Sequence, residues 1–165
     1  MIPVEELTVV GDKPESTLEE ILRQDHDEIE ELWESAVQLR GSDPAGSRKK
    51  YLLFVEALDE HIEIEENFLY PYSLRTHGDN VGHLVAMMRE EHVEIRKRLG
   101  NIRAAANSGQ PPSEADETEL RNTLGTHNAR EEGLYYPEFD RIFSTTPEGK
   151  KLTQSVLHQC SCGKR

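Results

Sequence analysis

Residues 61–71 read HIEIEENFLYP and residues 127–137 read HNAREEGLYYP. Both spell His-x-x-x-Glu-Glu-x-(Phe/Leu)-x-Tyr-Pro, so that His61, Glu65, Glu66, Tyr70 and Pro71 recur 66 residues later as His127, Glu131, Glu132, Tyr136 and Pro137. The same offset carries His26 of DHDEIEEL onto His92 of EHVEIRKRL, and Ile29 onto Ile95. A duplication of this length implies two similar units, and its period decides of what kind.

That period is helical. Thr17 and Glu20 form a capping-box signature, after which Leu18, Ile21, Leu22, Ile29, Leu32, Trp33, Ala36 and Val37 keep to one face of a helix. GSDPAGS at 41–47 marks a turn. A second helix carries Tyr51, Phe54, Val55, Leu58, Ile62, Phe68 and Leu69 to about Pro71, where it is expected to end or kink because proline disfavours helical geometry at the residue before it. YSLRTHGDN then serves as crossover. Helix resumes near Asp79 and runs toward 107, with Leu84, Val85, Met88, Ile95, Leu99 and Ile102 inward. After the turn NSGQPPS, Ser113 or a nearby acidic residue caps a fourth helix whose stripe is Leu120, Leu124, Leu134 and Phe139.

The fold predicted is all-α: an antiparallel four-helix bundle over residues 17–143 of a single domain spanning 1–165, made of two duplicated hairpins. Residues 144–165 hold a short C-terminal helix, with Thr146 as cap and Pro147 at its first position, and a cysteine-containing tail expected to be exposed. Residues 1–15 lack a sustained period and are expected to lie across the bundle or stay mobile.

Composition removes several function classes. With 32 acidic residues against 19 basic ones the formal charge is −13, and no basic run exceeds RKR, so no nucleic-acid partner is expected. MIPVEELTVV has neither a positive leader nor a long apolar stretch, which predicts no membrane span and a cytoplasmic location. Cys160 and Cys162 are too close to the end to staple the core. A soft-metal site built on that pair would need further ligands.

On the helical wheel His26, His61, His92 and His127 all fall on apolar stripes, one per helix, and Glu65 and Glu131 follow two of them at i+4. A single His-x-x-x-Glu is usually a surface pair. Two copies aimed at one interior are different, because a buried carboxylate without a partner loses several kcal/mol of hydration or takes up a proton. A pair of cations answers this, with four imidazoles supplying nitrogen and Glu65 and Glu131 supplying oxygen able to bridge. Ligand type alone admits iron, zinc or manganese. Glu66 and Glu132 are expected on the solvated face, with hydrogen bonding to the ligands as the alternative, and Tyr70 and Tyr136 in structural roles at the hairpin ends, with tuning of the centre as the alternative. Leu22, Ile29, Phe68, Met88 and Leu134 are expected to screen the centre from solvent.

Through His26, His61-x-x-x-Glu65, His92 and His127-x-x-x-Glu131 the chain resembles the hemerythrin-like, or HHE cation-binding, family. The resemblance implies two iron ions bridged by carboxylates and an oxo or hydroxo group, held by those six side chains, with one position open to oxygen, peroxide, nitric oxide or a small anion. The oxygen carriers of the family have a His-x-x-x-His pair on the third helix; here the positions flanking His92 at four residues are Met88 and Arg96. The carriers also use a more distant Asp where Glu131 stands. His83 faces away from His92, and His77, in the crossover, is the one histidine able to fold in as a fifth. The expected function is a non-haem di-iron protein that binds or reacts with a small oxidant, as carrier or enzyme. The alternative is a metal- or oxygen-responsive interaction protein without turnover.

Overall fold

The computed structural model describes residues 16–160, and among these all regular structure is helical. The helices are α1 (Leu18–Leu39), α2 (Pro44–Ile64), α3 (Tyr70–Asn107), α4 (Glu114–Arg130), α5 (Tyr136–Ser144) and α6 (Pro147–Gln159). Cross-helix pairs give their directions. Asp25 meets His61 while Arg40 meets Tyr51; Glu66 meets His92 while Asp59 meets Arg103; Glu91 meets His127 while Asn101 meets Asp116. In each pair of helices one number rises as the other falls, so neighbours run antiparallel around a four-helix bundle. The expectations for residues 1–15 and for Cys162 lie outside the described residues.

Side-chain caps open α1, α2, α4 and α6. Thr17 and Glu20 complete a reciprocal capping box, Asp43 caps α2 ahead of Pro44, Ser113 caps α4, and Thr146 caps α6 ahead of Pro147. Each cap satisfies an amide that the first helical turn leaves without a carbonyl. α6 packs back so closely that a Cβ on Gly149 would sit 2.3 Å from the Phe143 carbonyl oxygen.

Two expectations are corrected, and one feature explains both. The second helix neither ends nor kinks at Pro71. One wide turn, Glu65–Leu69, joins α2 to α3, with the Tyr70 amide donating to the Glu65 carbonyl five residues back. Glu131–Tyr135 does the same between α4 and α5, with Tyr136 donating to Glu131. Pro71 and Pro137 follow at the first turn of the resumed α-helix, where a missing amide costs least. The break comes instead at His77, whose backbone (φ −140°, ψ 32°) leaves the helical region and turns the chain back. The wide turn also inserts about one extra residue, which rotates the buried face. Leu69, Tyr70, Tyr135 and Tyr136 go inside, Phe68 is half-buried, and Leu134, expected in the stripe, is 62% exposed.

The core divides around the bundle's middle. Ile29, Trp33, Tyr51, Phe54, Leu58, Ile95, Leu99 and Leu120 form one apolar cluster; Leu18, Leu22, Tyr70, Met88, Tyr136, Phe139 and Phe143 belong to the other. At the far end of the first cluster the fully buried Tyr51 bonds Glu117 and accepts from Arg40 at 2.5 Å. Burial, and next the hydrogen bond to Glu117, pushes its phenol up to about 12. A folded-state value above the ordinary one contributes stability that is full below the unfolded value of 10.0 and is lost as pH rises through about 12. The urea midpoint is therefore expected to fall across that window, and Tyr51→Phe to flatten part of the fall. An unchanged profile in that variant would remove Tyr51 from the account.

Candidate metal centre

Between the two apolar clusters lie six buried polar side chains, the most exposed of which, His26, is only 6% accessible. His26 comes from α1, His61 from the end of α2, His92 from α3 and His127 from α4; Glu65 and Glu131 open the two wide turns. Each turn begins at the glutamate, four residues after its histidine, so the widened backbone sets where the carboxylate enters. All six predicted site residues thus meet at one place.

They meet as two histidine pairs with two shared glutamates. The Nε2 atoms of His26 and His61 lie 3.1 Å apart, and the rings of His92 and His127 are 5.0 Å apart between centroids. Glu65 directs Oε1 to His61 at 3.5 Å and Oε2 to His92 at 3.2 Å. Glu131 directs Oε2 to His26 at 3.2 Å and Oε1 to His127 at 2.9 Å. Each carboxylate therefore gives one oxygen to each pair.

The outward nitrogens are held with the same symmetry. Nδ1 of His61 bonds Asp25 at 2.8 Å, and Nδ1 of His127 bonds Glu91 at 2.8 Å. Nδ1 of His26 bonds Glu132 at 2.9 Å, and Nδ1 of His92 bonds Glu66 at 2.9 Å. Glu66 and Glu132 were expected in solvent. Instead the helices across the bundle bring a histidine to each of them, and Arg96 and Arg23 hold their other oxygens at 2.8 and 2.9 Å. A carboxylate on Nδ1 fixes the proton there and leaves the Nε2 lone pair facing inward, the tautomer a metal requires.

Tyr136 is a second correction. Its hydroxyl reaches His26 Nε2 at 2.9 Å, His61 Nε2 at 3.1 Å, Glu65 at 2.9 Å and Glu131 at 3.0 Å, so it belongs to the centre and not merely to a hairpin end. Burial, then the charges of Glu131 and Glu65, holds it well above the ordinary phenol range and therefore neutral. With one proton it donates to one carboxylate at a time. Tyr70, its counterpart in the repeat, stacks its ring on His92 at 5.8 Å, and its buried hydroxyl has no hydrogen-bond partner.

Electrostatics shows what the cluster lacks. Burial drives His61 toward its neutral form, yet the Glu65 charge and the Asp25 hydrogen bond outweigh this and raise it well above the usual imidazole range. Burial likewise opposes ionisation of Glu65, and His61 and His92 overcome it. The carboxylates are demanding positive charge. The Nε2 atoms of His26 and His61 face each other at 3.1 Å, so one of the two carries a proton unless a cation sits between them. His92 Nε2 and Glu65 Oε2, both buried and without a hydrogen bond, likewise face each other at 3.2 Å. Such contacts are favourable when a cation sits between, and donors roughly 2.1 Å from one ion lie about 3.0–3.4 Å from each other. The donor set thus fits a divalent metal: Glu65, His92, His127 and Glu131 form one group with ligand atoms within 4.8 Å, and His26, His61 and Glu131 form a second.

No further histidine joins among the described residues. His77 turns onto Thr76 at 3.0 Å, and His83 is exposed, as its spacing required. Met88 is fully buried in the core and Arg96 is committed to Glu66, so neither flank of His92 supplies a ligand. The tail also differs from expectation, since Cys160 closes α6 and is buried against the core. Sequence reasoning missed Asp25 and Glu91 altogether. The 66-residue offset held the clue, because each is the acidic residue immediately before a repeated histidine. The family described as Hemerythrin HHE cation binding domain matches residues 17–139. No curated protein and no solved structure gives a match.

Proposed function

The chain belongs to the hemerythrin HHE cation-binding domain family, and on that premise we propose that it is a non-haem di-iron protein that binds or reacts with dioxygen, peroxide, nitric oxide or a similar small oxidant. The observation that carries the reading is the placement of Glu65 and Glu131, each with one oxygen toward each histidine pair. In this reading His26 and His61 would hold one ion, His92 and His127 would hold the other, and Glu65 and Glu131 would serve both. Iron supplies open coordination positions and one-electron redox chemistry toward small oxidants when bound there. Four protein donors per ion would complete the usual tetrahedral preference of zinc, whereas iron accepts further ligands.

The chain's own groups prepare that chemistry. Asp25, Glu91, Glu66 and Glu132 fix each imidazole in rotation and tautomer. Tyr136 holds a proton on its hydroxyl beside both carboxylates, available to a ligand that develops negative charge. Leu22, Met88, Tyr70 and Phe139 exclude water from one side of the centre. His61 would have to give up the proton that Glu65 and Asp25 favour on it before it could hold a metal, so metal affinity is expected to weaken as pH falls.

Elemental analysis and the optical spectrum of freshly purified protein test the proposal together. The expected result is about two irons per chain and a ligand-to-metal absorption band that shifts on adding azide, consistent with an open position. A single zinc per chain, or a two-iron protein whose spectrum ignores azide and peroxide, would overturn it.

A further inference from the structure

The duplicated halves are not closed equally. α2 and α3 pack closely along their length, whereas α1 and α4, the corresponding pair in the repeat, scarcely touch. Between α1 and α4 opens a cavity of about 400 Å³ that runs from the surface to His26 and Glu132. That volume lies within the range of small-molecule sites. Its floor is apolar, with Ile29 and Trp33 on one side and Phe54 and Leu58 beneath.

The repeat identifies what makes the opening. On the closed side Ile62 is fully buried in the same cluster as Ile95 and Leu99, and Asp59 is clamped by Arg103 at 2.6 Å and Arg96 at 3.8 Å. Carried forward by 66 residues, Ile62 becomes Asn128, Asp59 becomes Gly125 and Glu63 becomes Ala129. Arg96 becomes Glu30, so the clamp is lost as well. A Cβ added at Gly125 would meet nothing within 4 Å. Three small or polar substitutions on one helix face have removed the plug that its twin retains.

We propose that this cleft binds a neutral, flat, mainly apolar organic molecule about the size of a substituted benzene, its one polar end toward His26 and Glu132. The Trp33 and Phe54 rings, 5.0 Å apart and edge to face, offer an aromatic wall. The charges favour neutrality. Glu132 is already satisfied by Arg23 and His26, and among the described residues the cleft lining carries Asp27 and Glu30 against one arginine, Arg121, on a chain of formal charge −13. An anionic ligand would meet net repulsion at the mouth. The inference goes beyond the proposed oxidant chemistry and does not depend on which metal is bound.

Trp33 is the chain's one tryptophan and lines the cleft, so its emission reads occupancy directly. Titration of the purified full-length protein with 4-methylphenol is expected to give a saturable change in that emission, with a weaker response to 4-methylbenzoate. Gly125→Leu and Ala129→Leu place side chains into the opening on exposed positions of α4 and are expected to weaken 4-methylphenol binding roughly tenfold or more. Both variants should retain wild-type helical circular dichroism and metal content. A merely linear, collisional response in the wild type, undiminished binding in both variants, or tighter binding of the carboxylate would each overturn the proposal. Loss of the azide response alone would bear on the metal reading and leave this one standing.

Discussion

In the proposed two-ion centre, replacing Glu131 by alanine is expected to release both ions at once, whereas replacing His26 by alanine should spare the more distant one. The difference follows from reach. Glu131 sends one oxygen to His26 and the other to His127, while His26 has its partners in one pair only. Removing a shared carboxylate takes an oxygen and half a negative charge from each ion, and leaves Glu65 as the sole anion facing two dications. The expected loss in affinity is more than about 100-fold, above the roughly 10- to 100-fold typical of an outer hydrogen-bond partner such as Asp25 or Glu91. Metal per chain after dialysis, with circular dichroism to verify the bundle, measures it. Retention of two ions by the alanine variant would mean that Glu131 is a neighbour of the metals and not a ligand.

Phe139→Ala should be a strongly damaging core substitution. Phe139 is 1% exposed and its ring meets Tyr70 at 6.0 Å, Tyr135 at 6.3 Å and Phe143 at 6.5 Å. Truncation would leave a cavity bordered by aromatic rings that cannot collapse inward, and buried Phe→Ala changes cost about 3–5 kcal/mol. Against a typical total of roughly 5–15 kcal/mol this is a large fraction. Chemical denaturation of the metal-free protein is the proper measurement, since bound metal would mask part of the loss by stabilising the folded state. The effect should extend to the centre, because Tyr70 stacks on His92. A change below about 1 kcal/mol would show that the cluster repacks, contrary to the rigidity argued for it.

How much of this was legible in advance depended on whether a signal was local. The caps at Thr17, Ser113 and Thr146 were readable because one side chain meets an amide three residues on. The six central residues were readable because duplication and a 3.6-residue period place them inside without knowledge of their partners. The end of the second helix was not. Pro71 carries the ordinary signal for a stop, but the wide turn before it relaxes the backbone, and nothing in EENFL alone announces an extra residue in that turn. The same shift exchanged Leu134 for Tyr135 and Tyr136 on the buried face. Glu66 and Glu132 illustrate a second limit: on their own helices they look toward solvent, and only the neighbouring helix brings His92 or His26 against them.

The sequence by itself determined a helical bundle of two related hairpins with four histidines and two glutamates turned inward, since those facts rest on spacing along one helix at a time. Tertiary structure alone decided which nitrogen of each imidazole faces the centre, which carboxylate holds the other, that the Tyr136 hydroxyl sits among them, and that one side of the bundle is plugged while its twin is open. These depend on atoms from different helices brought within about 3 Å, and hydrogen bonds at that range are settled by packing, which periodicity does not encode.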